Sequence, residues 1–335
     1  MQNSLFGENS TAVVDSVDFD QSLTEIANAL PRNLYLGTSS WSYPGWKGIV
    51  WDRNYSDSKL SRYGLPAYSK HPLFRCVGID RGFYKPLSIA EFAAHAAQVP
   101  DDFRFVVKAP SIVTDALLRD EEGRGKKINT NFLNADIARR DFIEPALEGM
   151  GKKLGSLVFQ ISPLPYVWVQ NISEPIARLH NMLQCIPYLK EVAPDCVIAV
   201  EVRDPQWLTR EFVETLRVHG ATYCMGLHAK MPRIAEQLPI LRALWPGPLV
   251  CRWNLNPLHG AYGYEDAERE YDPYDRIQDP DVETRNALAR VIAGTVGAGQ
   301  NAFVTVSNQA EGCSPLSIVE LAQTVRIFLD EKTKT

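Results

Sequence analysis

The residues with the means to do chemistry in this chain sit where short apolar runs end. Lys108 closes FRFVVK, Gln160 closes SLVFQ, Glu201 and Arg203 close VIAVEVR, Arg252 lies in LVCRW, and Asn308 follows AFVTVS. A charged group at the end of a buried strand costs free energy unless it is paired or used. In VIAVEVR, Ile198, Val200 and Val202 share one face while Ala199, Glu201 and Arg203 share the other. The apolar face should meet helices, which turns Glu201 and Arg203 inward. A carboxylate held there can act as a general acid or base if burial raises its pKa. Lys108 offers either a Schiff-base amine or a point charge for phosphate or carboxylate, and an acidic neighbour such as Glu201 favours the charged form. With Arg203 and Arg252 it makes a set of cations suited to an anionic ligand, and Asp80 supplies a possible second catalytic carboxylate. The competing account is a salt-bridge network of the same groups with Glu201, Asp80 and Asp115 that only fills space.

Neighbouring residues add recognition but name no reaction. Trp41, Tyr43, Trp46, Phe83 and Tyr84 form an aromatic set that would wall a sugar or base, or pack loops. Gln160 and Asn308 are suited to orienting a substrate oxygen or nitrogen. Among the six histidines only His228, just after a strand, is placed for a site, and no HxH or HExxH spacing occurs. A divalent ion held by Glu201, His228 and Asp80 is the metal alternative, and no motif names another cofactor. GTVGAG at 294–299 precedes a strand, so it reads as a helix end and not as a phosphate loop.

Eight runs of strand length and composition must carry these groups: Leu34–Thr38, Arg75–Ile79, Phe103–Lys108, Ser156–Gln160, Val197–Val202, Ala221–Gly226, Leu249–Trp253 and Ala302–Ser307. Helical stretches lie between most of them. Ser88 with Glu91 forms a capping box, Thr209 caps REFVETLRVH up to Gly220, and Ser314-Pro315 opens the last helix. Helical periodicity over 131–150 and 173–192 is interrupted by Pro145, Pro175 and Pro187. Strands alternating with helices imply parallel pairing, and eight units favour a closed (β/α)8 barrel over an open doubly wound sheet. Its active site is expected at the carboxyl ends of the strands, under long loops at 39–60 and 109–130 and an insertion at 254–280.

The 335 residues, 45% hydrophobic and 22% charged, read as one such domain over 32–330, after an extension over 1–31 that is loose up to about 20 and then forms a short docking helix from Phe19 to Leu30. A net charge of −5 provides no global field for a polyanion, which makes nucleic acid an unlikely partner without excluding it. The six cysteines contain no CxxC pair and mostly read as small buried hydrophobes. The amino terminus lacks the build of a signal peptide, and no apolar stretch reaches the ~18 residues needed to span a bilayer. A reducing, cytoplasmic setting without membrane contact follows; oligomeric state is open.

Six blocks in order, GTSSWSYPGWKG at 37–48, GIDRGFYKPLS at 78–88, FRFVVKAPSIVTD at 103–115, KKLGSLVFQISP at 152–163, AVEVRDPQWL at 199–208 and SNQAEGCSPLSIVELA at 307–322, resemble the YecE-like family, domain of unknown function 72. The resemblance covers roughly residues 34–328. It implies a TIM-barrel-like fold and supplies no established reaction. Members usually carry glutamate where this chain has Gly78, asparagine where it has Asp80, and often histidine where it has Asp115. Gly78 and Asp80 share a strand face, which would shift a carboxylate two positions along it.

The function expected from these residues is an enzyme, a hydrolase, lyase or isomerase, acting on a small anionic, phosphorylated or carboxylated sugar-like substrate. Glu201, Lys108 and Asp80 would be its catalytic groups, and Trp41, Tyr84, Gln160, Arg203, His228, Arg252 and Asn308 its binding groups. The alternative is a non-catalytic binder of small molecules or single-stranded nucleic acid that uses the same mouth.

Overall fold

Valine, isoleucine and leucine recur in short runs because each strand is covered on both sides, by helices outside and by other strands' side chains within. The structure, a computed structural model, describes residues 13–119 and 125–333. Its ten strands are β1 (Leu34–Thr38), β2 (Cys76–Ile79), β3 (Arg104–Lys108), β4 (Leu117–Arg119), β5 (Gly125–Ile128), β6 (Leu154–Gln160), β7 (Val197–Glu201), β8 (Thr222–Leu227), β9 (Leu249–Trp253) and β10 (Ala302–Val306). Eight of them close into a parallel barrel in the order β1-β2-β3-β6-β7-β8-β9-β10 and back to β1. All eight expected strands are present, and the closed barrel replaces the open-sheet alternative.

The barrel interior holds a small apolar cluster that includes Tyr35, Val106, Val158, Ala199, Cys224, Val250 and Phe303. Side chains alternate along each strand, so the next inward residues toward the carboxyl ends are Lys108, Gln160, Glu201, Gly226 and Arg252. Register brings them level: Gln160 pairs with Glu201, and Gly226 with Arg252. The outward residues, among them Val107, Leu157, Val200, Met225 and Cys251, join the larger core under the helices. Full burial of each such side chain contributes roughly 1.5–3 kcal/mol.

Local signals set most helix ends. Ser88 and Glu91 make the reciprocal capping box on the helix Ile89–Ala96, and Thr209 caps Arg210–Val218. The stretch over 131–150 is broken: Ala135–Ala138 gives way to a π-type turn at Arg139–Ile143 before Glu144–Met150. Pro145, without an N–H to donate, sits just past that turn. The helix Ser173–Gln184 keeps Pro175 in its first turn and stops before Pro187.

Three features differ from expectation. Strands β4 and β5 form an antiparallel hairpin within the loop at 109–130. The docking helix is shorter than expected, Gln21–Ala29, capped by Asp20. The described part of the extension is tied down, with Val14 buried, the Val17 amide donating to the Val50 carbonyl at 3.0 Å, and the Asp52 amide donating to the Asp15 carbonyl at 3.2 Å. The rest of the expected loose extension, residues 1–12, lies outside the described residues. All six cysteines are unpaired, and all but Cys185 are buried. No helix among the described residues is long and apolar enough to cross a membrane.

Candidate active site at the barrel mouth

A carboxylate on β7 organises the mouth. Glu201 is fully buried, and its two oxygens receive the guanidiniums of Arg203 and Arg252, each at 2.7 Å. The Asn254 amide donates to the same carboxylate at 3.1 Å. Gly226, on the neighbouring strand, leaves the room: a Cβ there would stand 3.0 Å from a Glu201 oxygen. Burial alone would push the Glu201 carboxyl up, but the two arginines outweigh it and hold the group below the usual carboxylate range. Arg252 reaches further, pairing with Asp80 after β2 and donating to the Gln160 side-chain oxygen at 3.2 Å. Arg203 donates to that same Gln160 oxygen, also at 3.2 Å. Gln160 therefore orients both arginines.

Above this floor opens a cavity of about 990 Å³. Asp80, Lys108, Gln160, Arg203, His228 and Arg252 line it, together with Tyr84. Lys108 makes no ion pair among the described residues; its ammonium lies over the Phe83 ring, 3.8 Å from the centroid. Burial, joined by the charges of Arg252 and Arg203 and opposed by Asp80, lowers its pKa to about 8. His228 is pushed down to about 4, chiefly by burial and next by Arg203, so it is neutral at pH 7. Its Nδ1 accepts from the Lys230 amide at 3.1 Å, which leaves the Nε2 hydrogen to donate. The insertion contributes Tyr262 and Tyr264. The hairpin contributes Leu117 and Gly125.

Of the aromatic set, Tyr43, Phe83 and Tyr84 reach the cavity. Trp41 is instead buried beneath, donating to the Leu60 carbonyl at 3.1 Å with its ring edge-on to His95. Asn308 likewise turns away: its side-chain oxygen accepts from the Ser314 amide at 2.9 Å and from Trp46 Nε1 at 3.3 Å. Its flanking residues, Ser307 and Gln309, line the cavity in its place. Alternation along β10 continues through Ser307, and that parity is the signal that would have found it. The same period of two from Arg252 leads to Asn254. Tyr264 and Lys230 carry no such signal, because loops set them.

The suggested metal set does not assemble. Both Glu201 oxygens are occupied by arginine, and among the described residues no group of three His, Cys, Asp or Glu side chains is arranged to hold an ion.

The sequence model of a family described as a protein of unknown function, DUF72, matches residues 35–334. This chain belongs to the DUF72 family. A DUF72 family protein of Enterococcus faecalis V583 has a similar structure, with TM-score 0.57 and 17% identity over 89% of this chain and 95% of that one. Another, from Thermotoga maritima MSB8, gives TM-score 0.53 and 20% identity over 90% and 99% of the two chains. No curated protein matches. Gly78 cannot take a side chain without moving the Ser39 backbone, since a Cβ would lie 2.6 Å from its carbonyl oxygen. The carboxylate at the neighbouring inward position, Asp80, pairs with Arg252.

Proposed function

We propose that this protein is an enzyme acting on a small anionic, phosphorylated or carboxylated sugar-like substrate at the carboxyl-terminal mouth of its barrel. The observation that carries the reading is the cationic floor. Lys108, Arg203 and Arg252 gather at the floor around Glu201 and Asp80, with Asp115, Lys230 and Glu265 elsewhere in the lining, and Arg203 and Arg252 are held in place before any ligand arrives. Prearranged guanidiniums bind carboxylate and phosphate strongly because little side-chain freedom remains to be lost. Glu201 is the positioning residue of this arrangement. Its burial between two arginines keeps it ionised and unfit for proton exchange near neutrality. Acid and base work then falls to the groups that face the cavity, Lys108 with a pKa of about 8 and the neutral imidazole of His228. Tyr43, Phe83 and Tyr84 provide walls for a sugar ring.

Calorimetric titration with glucose 6-phosphate and glucuronate, each against glucose, tests the reading. The charged sugars are expected to bind at least about tenfold more tightly, and Lys108→Met is expected to erase much of that preference. Equal binding of charged and neutral sugars, or none at millimolar concentration, would overturn it.

A second reading, a non-catalytic binder of single-stranded nucleic acid, is favoured by Tyr84 and Tyr262, each 86% exposed at the rim where bases could stack. A steep loss of oligonucleotide affinity with added salt would select it.

A further inference from the structure

We propose that Lys108 is a carbonyl-directed nucleophile, its Nζ condensing with an aldehyde or ketone group of the anionic substrate to form an iminium ion at the end of β3. The inference rests on the reading of the mouth as an anion site and adds the functional group that the substrate must carry.

Lys108 differs from the other two floor cations in its partners. Arg203 and Arg252 each hold a carboxylate, whereas Lys108, which has no ion pair among the described residues, lies over the face of Phe83. Among the described residues no ion pair ties its amine to an acid, and its flexible stem opens on the cavity. The arginines stand ready to take the substrate's anionic group, which would bring a nearby carbonyl carbon to the amine. Asp80, Glu201, Arg203 and Arg252 are the charged groups that act on it, and burial with the two arginines outweighs the two acids. At neutral pH the free-base fraction is on the order of a hundred times that of an exposed lysine.

The step balances without a co-reactant. The Nζ lone pair forms the N–C bond, the carbonyl π electrons move to oxygen, and a proton passes from nitrogen to that oxygen to give the carbinolamine. Expulsion of the hydroxyl, protonated as it leaves, releases water and leaves the C=N bond. Solvent entering the open cavity supplies and relays these protons.

Glyoxylate, an anion that carries an aldehyde, is the probe, with sodium cyanoborohydride to reduce the C=N bond to a stable secondary amine. Mass-spectrometric mapping at neutral pH is expected to find Lys108 modified at least about tenfold faster than the exposed Lys152. The rate should climb through pH 8, and acetate, which has the charge without the aldehyde, should suppress it. Lys108→Met should abolish the fast phase. If that variant fails to fold, the selectivity within the wild-type chain still decides. Labelling of Lys108 no faster than Lys152, or labelling that acetate leaves unchanged, would overturn the inference. Retained binding of glucose 6-phosphate alongside absent labelling would remove the nucleophile and leave the anion site standing, whereas loss of both would remove both.

Discussion

Without the carboxylate of Glu201, the buried guanidinium of Arg203 would lose its ion-pair partner and Arg252 would be left with Asp80. Breaking a buried pair in this way typically costs about 3–5 kcal/mol. Glu201→Gln keeps the shape and removes the charge, so urea unfolding should show a loss of that order; a change below ~1 kcal/mol would mean the arginines are compensated elsewhere. Glu201, Lys108, Gln160 and Arg252 were legible in the sequence for one reason, the alternation of side chains along short strands. What that pattern could not say is what each group does. It placed a carboxylate at the mouth but not the two arginines that claim both its oxygens. Trp41 and Asn308 lie off the cavity because loop path and strand parity turn their side chains into the packing beneath it.

Among the elements, the hairpin of β4 and β5 was the main surprise. LLR and GKKI are too short and too charged to announce strands. What fixes the hairpin is Asn129, buried just beyond β5. Its side-chain NH2 donates to the carbonyls of Ile112 at 2.8 Å and Asp115 at 2.7 Å, and its oxygen accepts from the Asn131 amide at 3.0 Å. Since Leu117 and Gly125 line the cavity, Asn129→Ala should loosen a wall of the site. Hydrogen exchange is expected to speed up across 113–131 while the barrel strands stay protected. Uniform protection throughout would show that the hairpin holds without it. The insertion at 254–280 is clamped in a comparable way, by Glu311, whose carbonyl accepts from the Gln278 amide at 2.7 Å and the Asp279 amide at 3.2 Å while its fully buried carboxylate pairs with Arg285 at 2.6 Å. Those partners are distant in sequence, and no local pattern reports them. The barrel strands and the cap at Ser88 were legible because their causes are local.

For the molecule as a whole, buried ionisable groups make acid the weak side. His71 is buried against Phe74, and burial drops its pKa from 6.5 to about 3. The unfolded chain takes up that proton first, so this contribution is full above about pH 6.5 and drains away as pH falls toward 3, by roughly 4–5 kcal/mol in all. Glu201 acts in the same direction at lower pH, because its depressed pKa adds stability above the unfolded value of 4.5 that is lost on protonation. Denaturant midpoints measured from pH 7 to 4 should fall for the wild type and fall less for His71→Gln. Matching slopes would place the dependence elsewhere. A last consequence belongs to the cross-bracing of Arg203, Gln160 and Arg252. A receptor whose contact points are already locked has no slow rearrangement to wait for. Capture of small ligands should then be a single fast event, its observed rate rising in proportion to ligand concentration without levelling off.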